Sequence, residues 1–190
     1  CQSHAPPWLT CSAALPYAEP WRGLITDFKF HGDAGLARLL GVFLEVVAQA
    51  QGLLRQVDGV LPVPLSRERL RERGFNQSLL LARALNHPGL LPDGLLRLRH
   101  TLPQVGLPRS ERLLNLAHAM ACNPRHVASL RGQRVLLVDD VMTTGQTLMA
   151  CAQALQLASP QAIHAVVFAH AQSWAPTTPP PHVQPCPLPT

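Results

Sequence analysis

The chain has 190 residues, 47% of them hydrophobic, which is enough for one domain with a sizeable core and excludes a wholly disordered chain. Its formal net charge of +5 permits an anionic partner without requiring nucleic acid. No apolar run reaches the roughly 20 residues of a transmembrane helix, so no membrane span is expected. The five cysteines are odd in number and irregularly spaced, which is typical of reduced thiols and favours a cytoplasmic protein.

Residues 1–20 contain a Cys-x-x-His pair, Cys1 and His4, with the spacing of metal ligands. A closed structural zinc site needs four ligands, and this segment supplies one such pair. Two interpretations stay open. The pair is incidental to a loop, or Cys1 is the last ligand of a zinc ribbon that begins upstream of the chain.

Two amphipathic helices are predicted next, over residues 21–30 and 34–54, where leucines, isoleucine, valine and phenylalanine recur at helical spacing. Asp33 can cap the second helix. Lys29 and His31 lie on the turn between the two helices. They could meet a ligand, although a solvated lysine is the simpler interpretation.

Residues 57–64 predict a buried strand that ends at two prolines. An arginine-rich segment over residues 65–73 follows directly, and a helix is predicted from Ser78 to Leu85. One interpretation of the arginines is a solvated, salt-bridged helix face. The other is a loop at the carboxyl end of a strand that wraps a pyrophosphate, because the planar guanidinium makes paired hydrogen bonds with such a group.

The most informative stretch is Arg134-Val-Leu-Leu-Val-Asp-Asp-Val-Met-Thr-Thr-Gly-Gln-Thr-Leu148. Val135 to Val138 predict a buried parallel strand, and an alanine- and leucine-rich helix is predicted from Leu148 to Leu157. The small polar turn before that helix offers backbone N–H groups and hydroxyls to a phosphate. Asp139 and Asp140 would repel the phosphate and suit hydroxyl groups or a hydrated cation. Phosphoribosyl pyrophosphate with Mg²⁺ has all of these parts.

This stretch resembles the phosphoribosyl pyrophosphate signature of type I phosphoribosyltransferases, and the match is complete over thirteen positions. The stretches Leu24-Ile-Thr-Asp-Phe-Lys-Phe-His-Gly32 and Val-Pro-Val-Pro-Leu65, with Arg73-Gly-Phe-Asn-Gln77, resemble the ComF/GntX group, the competence-associated branch of that superfamily. Together these resemblances extend from about residue 20 to residue 170. Members of the group usually carry an N-terminal zinc ribbon.

The resemblance implies an α/β fold of the type I phosphoribosyltransferase kind, with a central, mainly parallel sheet flanked by helices. It places this domain at residues 21–172, after a possible ribbon remnant at 1–20. Residues 173–190 are dense in proline without an apolar period, which predicts a disordered tail. A mobile hood is implied between the arginine-rich segment and the signature. Gln104, Arg109 and Arg112 are its candidates to close on the pyrophosphate. The alternative interpretation of this segment is a plain surface loop.

The resemblance also implies roles for individual residues. The ribose and catalytic positions are Asp139 and Asp140. The 5′-phosphate positions are Thr143, Thr144, Gly145, Gln146 and Thr147. The pyrophosphate positions are Leu65, Ser66, Arg67 and Arg109. Mg²⁺ is expected to arrive through the pyrophosphate, and Zn²⁺ only with an upstream ribbon.

Two functions stay open. The first is a phosphoribosyltransferase-like protein that binds phosphoribosyl pyrophosphate with Mg²⁺ and, by resemblance to ComF proteins, is linked to DNA uptake and natural transformation. The second is a non-enzymatic, nucleotide-responsive adaptor that handles single-stranded DNA beside competence proteins. An aromatic platform for an acceptor base is not evident near the C-terminus. The sequence gives no oligomeric state.

Overall fold

The computed structural model describes residues 8–31, 34–98 and 119–171, and every element below lies within them. A four-stranded sheet forms the centre, and all of its strand pairs are parallel. Its order across the sheet is β1 (Thr10–Pro16), β6 (Ala162–His170), β5 (Arg134–Met142) and β2 (Gly59–Pro62). A separate antiparallel pair consists of β3 (Leu95–Arg97) and β4 (Met120–Cys122).

Seven helices connect these strands within the described ranges. They are α1 (Trp21–His31), α2 (Ala34–Ala50), α3 (Leu53–Gln56), α4 (Arg67–Arg73), α5 (Gln77–Ala84), α6 (Val127–Leu130) and α7 (Gln146–Leu155), the last followed by a 3₁₀ turn at Gln156–Ala158. The sheet has a layer of helices on each face, and this confirms the expected α/β fold.

The central strand β5 explains why both faces of the sheet are covered. Its side chains alternate between two cores, as the two-residue period of a strand requires. Val135 and Leu137 pack with helix α7, whereas Leu136 and Val138 pack with helices α2 and α5. All four side chains are fully buried, so a continuous apolar run is what this strand needs.

Helices α2 and α5 cross at very short range. A Cβ atom placed on Gly41 of α2 would overlap the Cβ of Ala84 of α5. The missing side chain therefore sets the distance between the two helices, and with it the height at which α5 lies on the sheet.

Several predicted boundaries differ from the structure. Strand β1 lies inside the stretch assigned above to a ribbon remnant, so the central sheet begins at Thr10 rather than after residue 20. The long second helix is divided into α2 and α3 at Gly52, where the backbone is left-handed. Helix α7 begins at Gln146, two residues before the predicted start.

None of the helices described is both long and apolar enough to cross a membrane.

Candidate functional site

Strands β2 and β5 are parallel, so their carboxyl ends lie at the same edge of the sheet, where open α/β sheets bind ligands. The β2–β5 pairing ends with Pro62 opposite Val138, and β5 continues to Met142 along β6. The two consecutive acids therefore belong to the strand itself and not to a loop after it. Asp139 and Asp140 follow directly on the last β5 residue that pairs with β2.

Asp139 is a buried carboxylate, with only 8% of the residue exposed. Its Oδ1 accepts hydrogen bonds from Ser78 Oγ at 2.8 Å and from the Asp140 amide at 2.9 Å. Burial raises the pKa of Asp139 to about 7, and the neighbouring charge of Asp140 adds to this effect. The bonds from Ser78 and the Asp140 amide, and the Lys29 charge, oppose it. The site therefore contains a carboxyl group whose charge changes near neutral pH.

Asp140 is less buried and is ion-paired. Its Oδ2 lies 3.2 Å from Lys29 Nζ, and its Oδ1 accepts the Val141 amide at 2.7 Å. The simpler interpretation of Lys29 as a solvated side chain is thus wrong, since helix α1 directs it at the acidic pair. The side chain of His31 lies outside the part of the structure that can be described.

The Asn76-Gln77-Ser78 stretch positions the residues that contact the two acids. The Asn76 side chain accepts a hydrogen bond from the Ser78 amide and donates one to the Val63 carbonyl. It therefore caps α5 and connects this helix to the end of β2. Buried Gln77 donates to the Lys29 carbonyl at 3.2 Å, which joins α5 to α1. This motif therefore positions Ser78 under Asp139 and Lys29 beside Asp140.

The threonine-glycine turn leads from β5 into α7. Gly145 has φ +72°, a left-handed conformation that favours glycine, and it is the N-cap of α7 without a side-chain cap bond. Thr143 and Thr144 are exposed, whereas Gln146 and Thr147 are half-buried. The first turn of α7 thus has amide groups that no cap side chain satisfies, next to exposed hydroxyls.

A cavity of about 570 Å³ lies between the end of β2 and strand β3. Its walls are residues 64–68 on one side and residues 95–98 on the other. Ser66 is buried and caps α4 by accepting the Arg69 amide at 3.3 Å. Arg67 and Arg97 both line the cavity, so two cationic residues border one space.

The sequence did not mark Arg97 as a site residue, although the Leu-Arg-Leu-Arg alternation over residues 96–99 is typical of a short strand. It is half-buried on β3, and burial lowers its pKa, as does the charge of Arg69. The charge of Asp139 acts in the opposite direction. Arg97 is thus a cation that lines the cavity and interacts with the charge of Asp139.

The arginine-rich segment is a helix and not a wrapping loop. Residues 67–73 form α4, which buries none of its side chains, and only residues 63–66 form the loop after β2. The solvated helix face is therefore the correct interpretation for most of these arginines. Gln104, Arg109 and Arg112 lie outside the described residues, and so do Cys1 and His4.

Replacing Asp139 by asparagine is expected to stabilise the protein above pH 7 by about 1–3 kcal/mol. The folded-state pKa lies above the unfolded value, so the wild type loses stability as the pH rises from about 4 to about 7. Asparagine can still accept both hydrogen bonds and carries no charge. Chemical denaturation across this pH range should show the difference shrinking towards pH 4, and a constant difference would contradict the assigned cause.

Ser78→Ala is expected to destabilise the fold by about 1.5–3 kcal/mol at pH 8, because a hydrogen bond to a buried carboxylate is lost. At pH 5 Asp139 is largely neutral, and the cost should fall to about 1 kcal/mol. Ser129→Ala is the matched control, since Ser129 donates only to an exposed carbonyl. Equal costs at the two pH values would show that the hydroxyl does not support a charge.

Comparison with known proteins identifies similar chains. The family described as "Phosphoribosyl transferase domain" matches residues 100–180. DNA utilization protein YhgH of Escherichia coli is 34% identical over 161 residues, which are 82% of this chain and 69% of that protein. Competence protein F of Haemophilus influenzae is 35% identical over 155 residues, which are 78% of this chain and 67% of that protein.

Competence protein ComFC of Bacillus subtilis is 34% identical over 144 residues. These are 73% of this chain and 55% of that protein. The similarity to all three relatives therefore extends well beyond the signature at β5.

Proposed function

Because the chain belongs to the ComF family of phosphoribosyltransferase-like proteins, we propose that it binds phosphoribosyl pyrophosphate with Mg²⁺ at the carboxyl edge of its sheet. The observation that carries the proposal is the order along β5 and α7. A buried acid and an ion-paired acid are followed at once by a threonine-glycine turn at a helix N-terminus. This order offers acceptors for hydroxyl groups beside donors for a phosphate.

The turn at Thr143–Thr147 is the proposed 5′-phosphate site. The positive end of the α7 dipole and the amides of its first turn favour an anion. Gly145 allows the backbone to approach the phosphate, and the exposed hydroxyls of Thr143 and Thr144 add donors. Neither acid serves this group, since like charges repel.

The acidic pair is the proposed ribose site. Carboxylates accept hydrogen bonds from vicinal hydroxyls, and Asp140 and Asp139 are adjacent on the strand. Lys29 and Ser78 hold the two carboxyl groups in place. Reactions supported by such a site replace pyrophosphate at the ribose C1, where positive charge grows on the ring and nearby carboxylates stabilise it.

The cavity beside β2 and β3 is the proposed pyrophosphate site. Arg67 and Arg97 line it, and the guanidinium group makes paired hydrogen bonds with phosphate oxygens. The implied Mg²⁺ fits this arrangement. The described residues contain no group of three or more histidines, cysteines, aspartates and glutamates able to cage a metal. Magnesium commonly uses one or two carboxylates together with substrate phosphates, and Asp139 and Asp140 supply carboxylates.

Titration calorimetry with parts of the ligand tests the three subsites separately. Ribose 5-phosphate should bind weakly and lose its binding when Thr144 and Thr147 are changed to valine. Pyrophosphate with Mg²⁺ should lose its binding in Arg97→Met and not in the threonine variant. If either part of the ligand binds the variant of its proposed subsite as tightly as the wild type, the assignment of that subsite is contradicted.

A link to DNA is the second candidate function, favoured by the names of the relatives and by helix α4. That helix is an exposed segment with four arginines and two glutamates. Exposed arginines bind the phosphate backbone of single strands, with a strong dependence on salt. Arg71→Ala should weaken binding of a single-stranded oligonucleotide, while replacement of the acidic pair should leave it unchanged. An affinity for DNA that changes neither in Arg71→Ala nor with the salt concentration would contradict this candidate.

A further inference from the structure

Helix α2 is apolar on two opposite faces, which is unusual for a helix at the surface of a domain. Its inner face packs into the core through side chains at helical spacing. These are Ala37, Leu40, Leu44 and Ala48, all buried. The outer face repeats the same pattern at positions i, i+3, i+4 and i+7, with Leu39, Val42, Phe43 and Val46. We call these four residues the α2 stripe.

The α2 stripe is strongly exposed. Leu39 is 49% exposed, Val42 52%, Phe43 36% and Val46 61%. Phe43 is also fixed in place, because its ring packs edge-on against Trp21 and Phe168. Four large apolar side chains in one row are the pattern of a helix–helix contact, and scattered exposed residues would not show this spacing.

Two opposite charges flank the stripe on the same side of the helix. Arg38 and Glu45 are seven residues apart, which is two turns, so both project beside Val42. Arg38 is exposed, and the Glu45 carboxylate accepts a hydrogen bond from Gln49 at the exposed surface. A single row thus contains an apolar seam with a positive end and a negative end.

We propose that the α2 stripe is the interface between two copies of this chain, packed antiparallel about a two-fold axis between Val42 and Phe43. A two-fold interface must be complementary to itself. This axis places two residues of different copies at the same height when their residue numbers add up to about 85. Leu39 therefore lies opposite Val46 of the second copy. The helix rises about 1.5 Å per residue, so Arg38 and Glu45 of the other copy differ in height by roughly 3 Å along the helix axis. The interface therefore contains two symmetric ion pairs.

The charge pattern selects a second copy over other occupants. An anionic membrane surface would favour basic residues along the whole polar flank, and Glu45 would oppose it. An unrelated helix would need its own matching charges, whereas the second copy already has them. This interface lies on α2 and does not involve the proposed ligand site, so either proposal can fail without the other.

Analytical ultracentrifugation of the full chain tests the interface. The wild type should be a dimer that dissociates on dilution, and Val42→Glu should be a monomer, because two carboxylates would meet near the axis. Circular dichroism and phosphoribosyl pyrophosphate titration of the variant separate lost association from lost folding. A wild type that is monomeric at all concentrations, or a dimer that Val42→Glu leaves intact, would overturn the proposal.

Charge exchange tests the antiparallel register. Arg38→Glu and Glu45→Arg should each weaken self-association about 10-fold, since each places like charges together. An equimolar mixture of the two variants should form a heterodimer at wild-type strength, because one ion pair is then present as in the wild type and the other with exchanged signs. Arg55→Glu on α3 is the control with the same charge change and should have no effect. A mixture no stronger than the separate variants would overturn this register and the interface built on it.

Discussion

Asp139→Asn with Asp140→Asn is expected to weaken the binding of phosphoribosyl pyrophosphate by at least about 100-fold, because two charged acceptors for the ribose hydroxyls are lost. Asparagine keeps the shape of both side chains, and the carbonyl oxygens can still accept the bonds from Ser78 and the backbone. The loss would therefore report charge and not unfolding. Calorimetric titration of the ligand with Mg²⁺ into the double variant measures it.

Asp58→Asn is the matched control for this experiment. Asp58 is an exposed carboxylate at the opposite, amino end of the sheet, where it accepts the Arg134 amide at 2.8 Å. Its replacement should leave the affinity unchanged. A double variant of Asp139 and Asp140 that is folded by circular dichroism and binds as tightly as the wild type would remove the acidic pair from the site.

Gly41→Ala is expected to destabilise the protein by about 2–4 kcal/mol, although alanine normally stabilises a helix interior by about 1 kcal/mol. The reversed sign follows from the crossing of α2 and α5, where the new methyl group would overlap Ala84. Urea denaturation of the variant measures the change in the free energy of unfolding.

The second variant makes this prediction specific. Ala84→Gly removes the group with which the new methyl overlaps, so Gly41→Ala with Ala84→Gly should recover most of the loss. Gly23→Ala on α1 is a suitable control, because a Cβ there would meet nothing within 4 Å. Independent, additive costs at residues 41 and 84 would contradict the close crossing.

The sequence predicted the local parts of the site and missed the contacts between distant segments. Strand, acids, turn and helix follow one another within residues 134–155, so their order was visible in the printed chain. The bond between Ser78 and Asp139 joins residues 61 positions apart, and no periodicity encodes such a pairing. Ser78 was seen only as the first residue of a helix.

The other errors concern segments that lack a clear apolar pattern. The seven residues of α4 bury nothing, so no apolar face distinguished a helix from a loop. Strand β1 contains small and polar residues and has a mixed burial pattern at the edge of the sheet, so it lacked the continuous apolar run of β5. Pairing with β6 decided the structure of β1, whereas the local caps Ser66 and Gly74 set the bounds of α4.

Calorimetric titration of phosphoribosyl pyrophosphate into the wild type, with and without Mg²⁺, tests the central claim most directly. We predict saturable binding of one ligand per chain that weakens strongly when Mg²⁺ is withheld, because the pyrophosphate then places its full charge beside Asp139 and Asp140. A folded wild type that takes up no ligand in the presence of Mg²⁺ would contradict the claim.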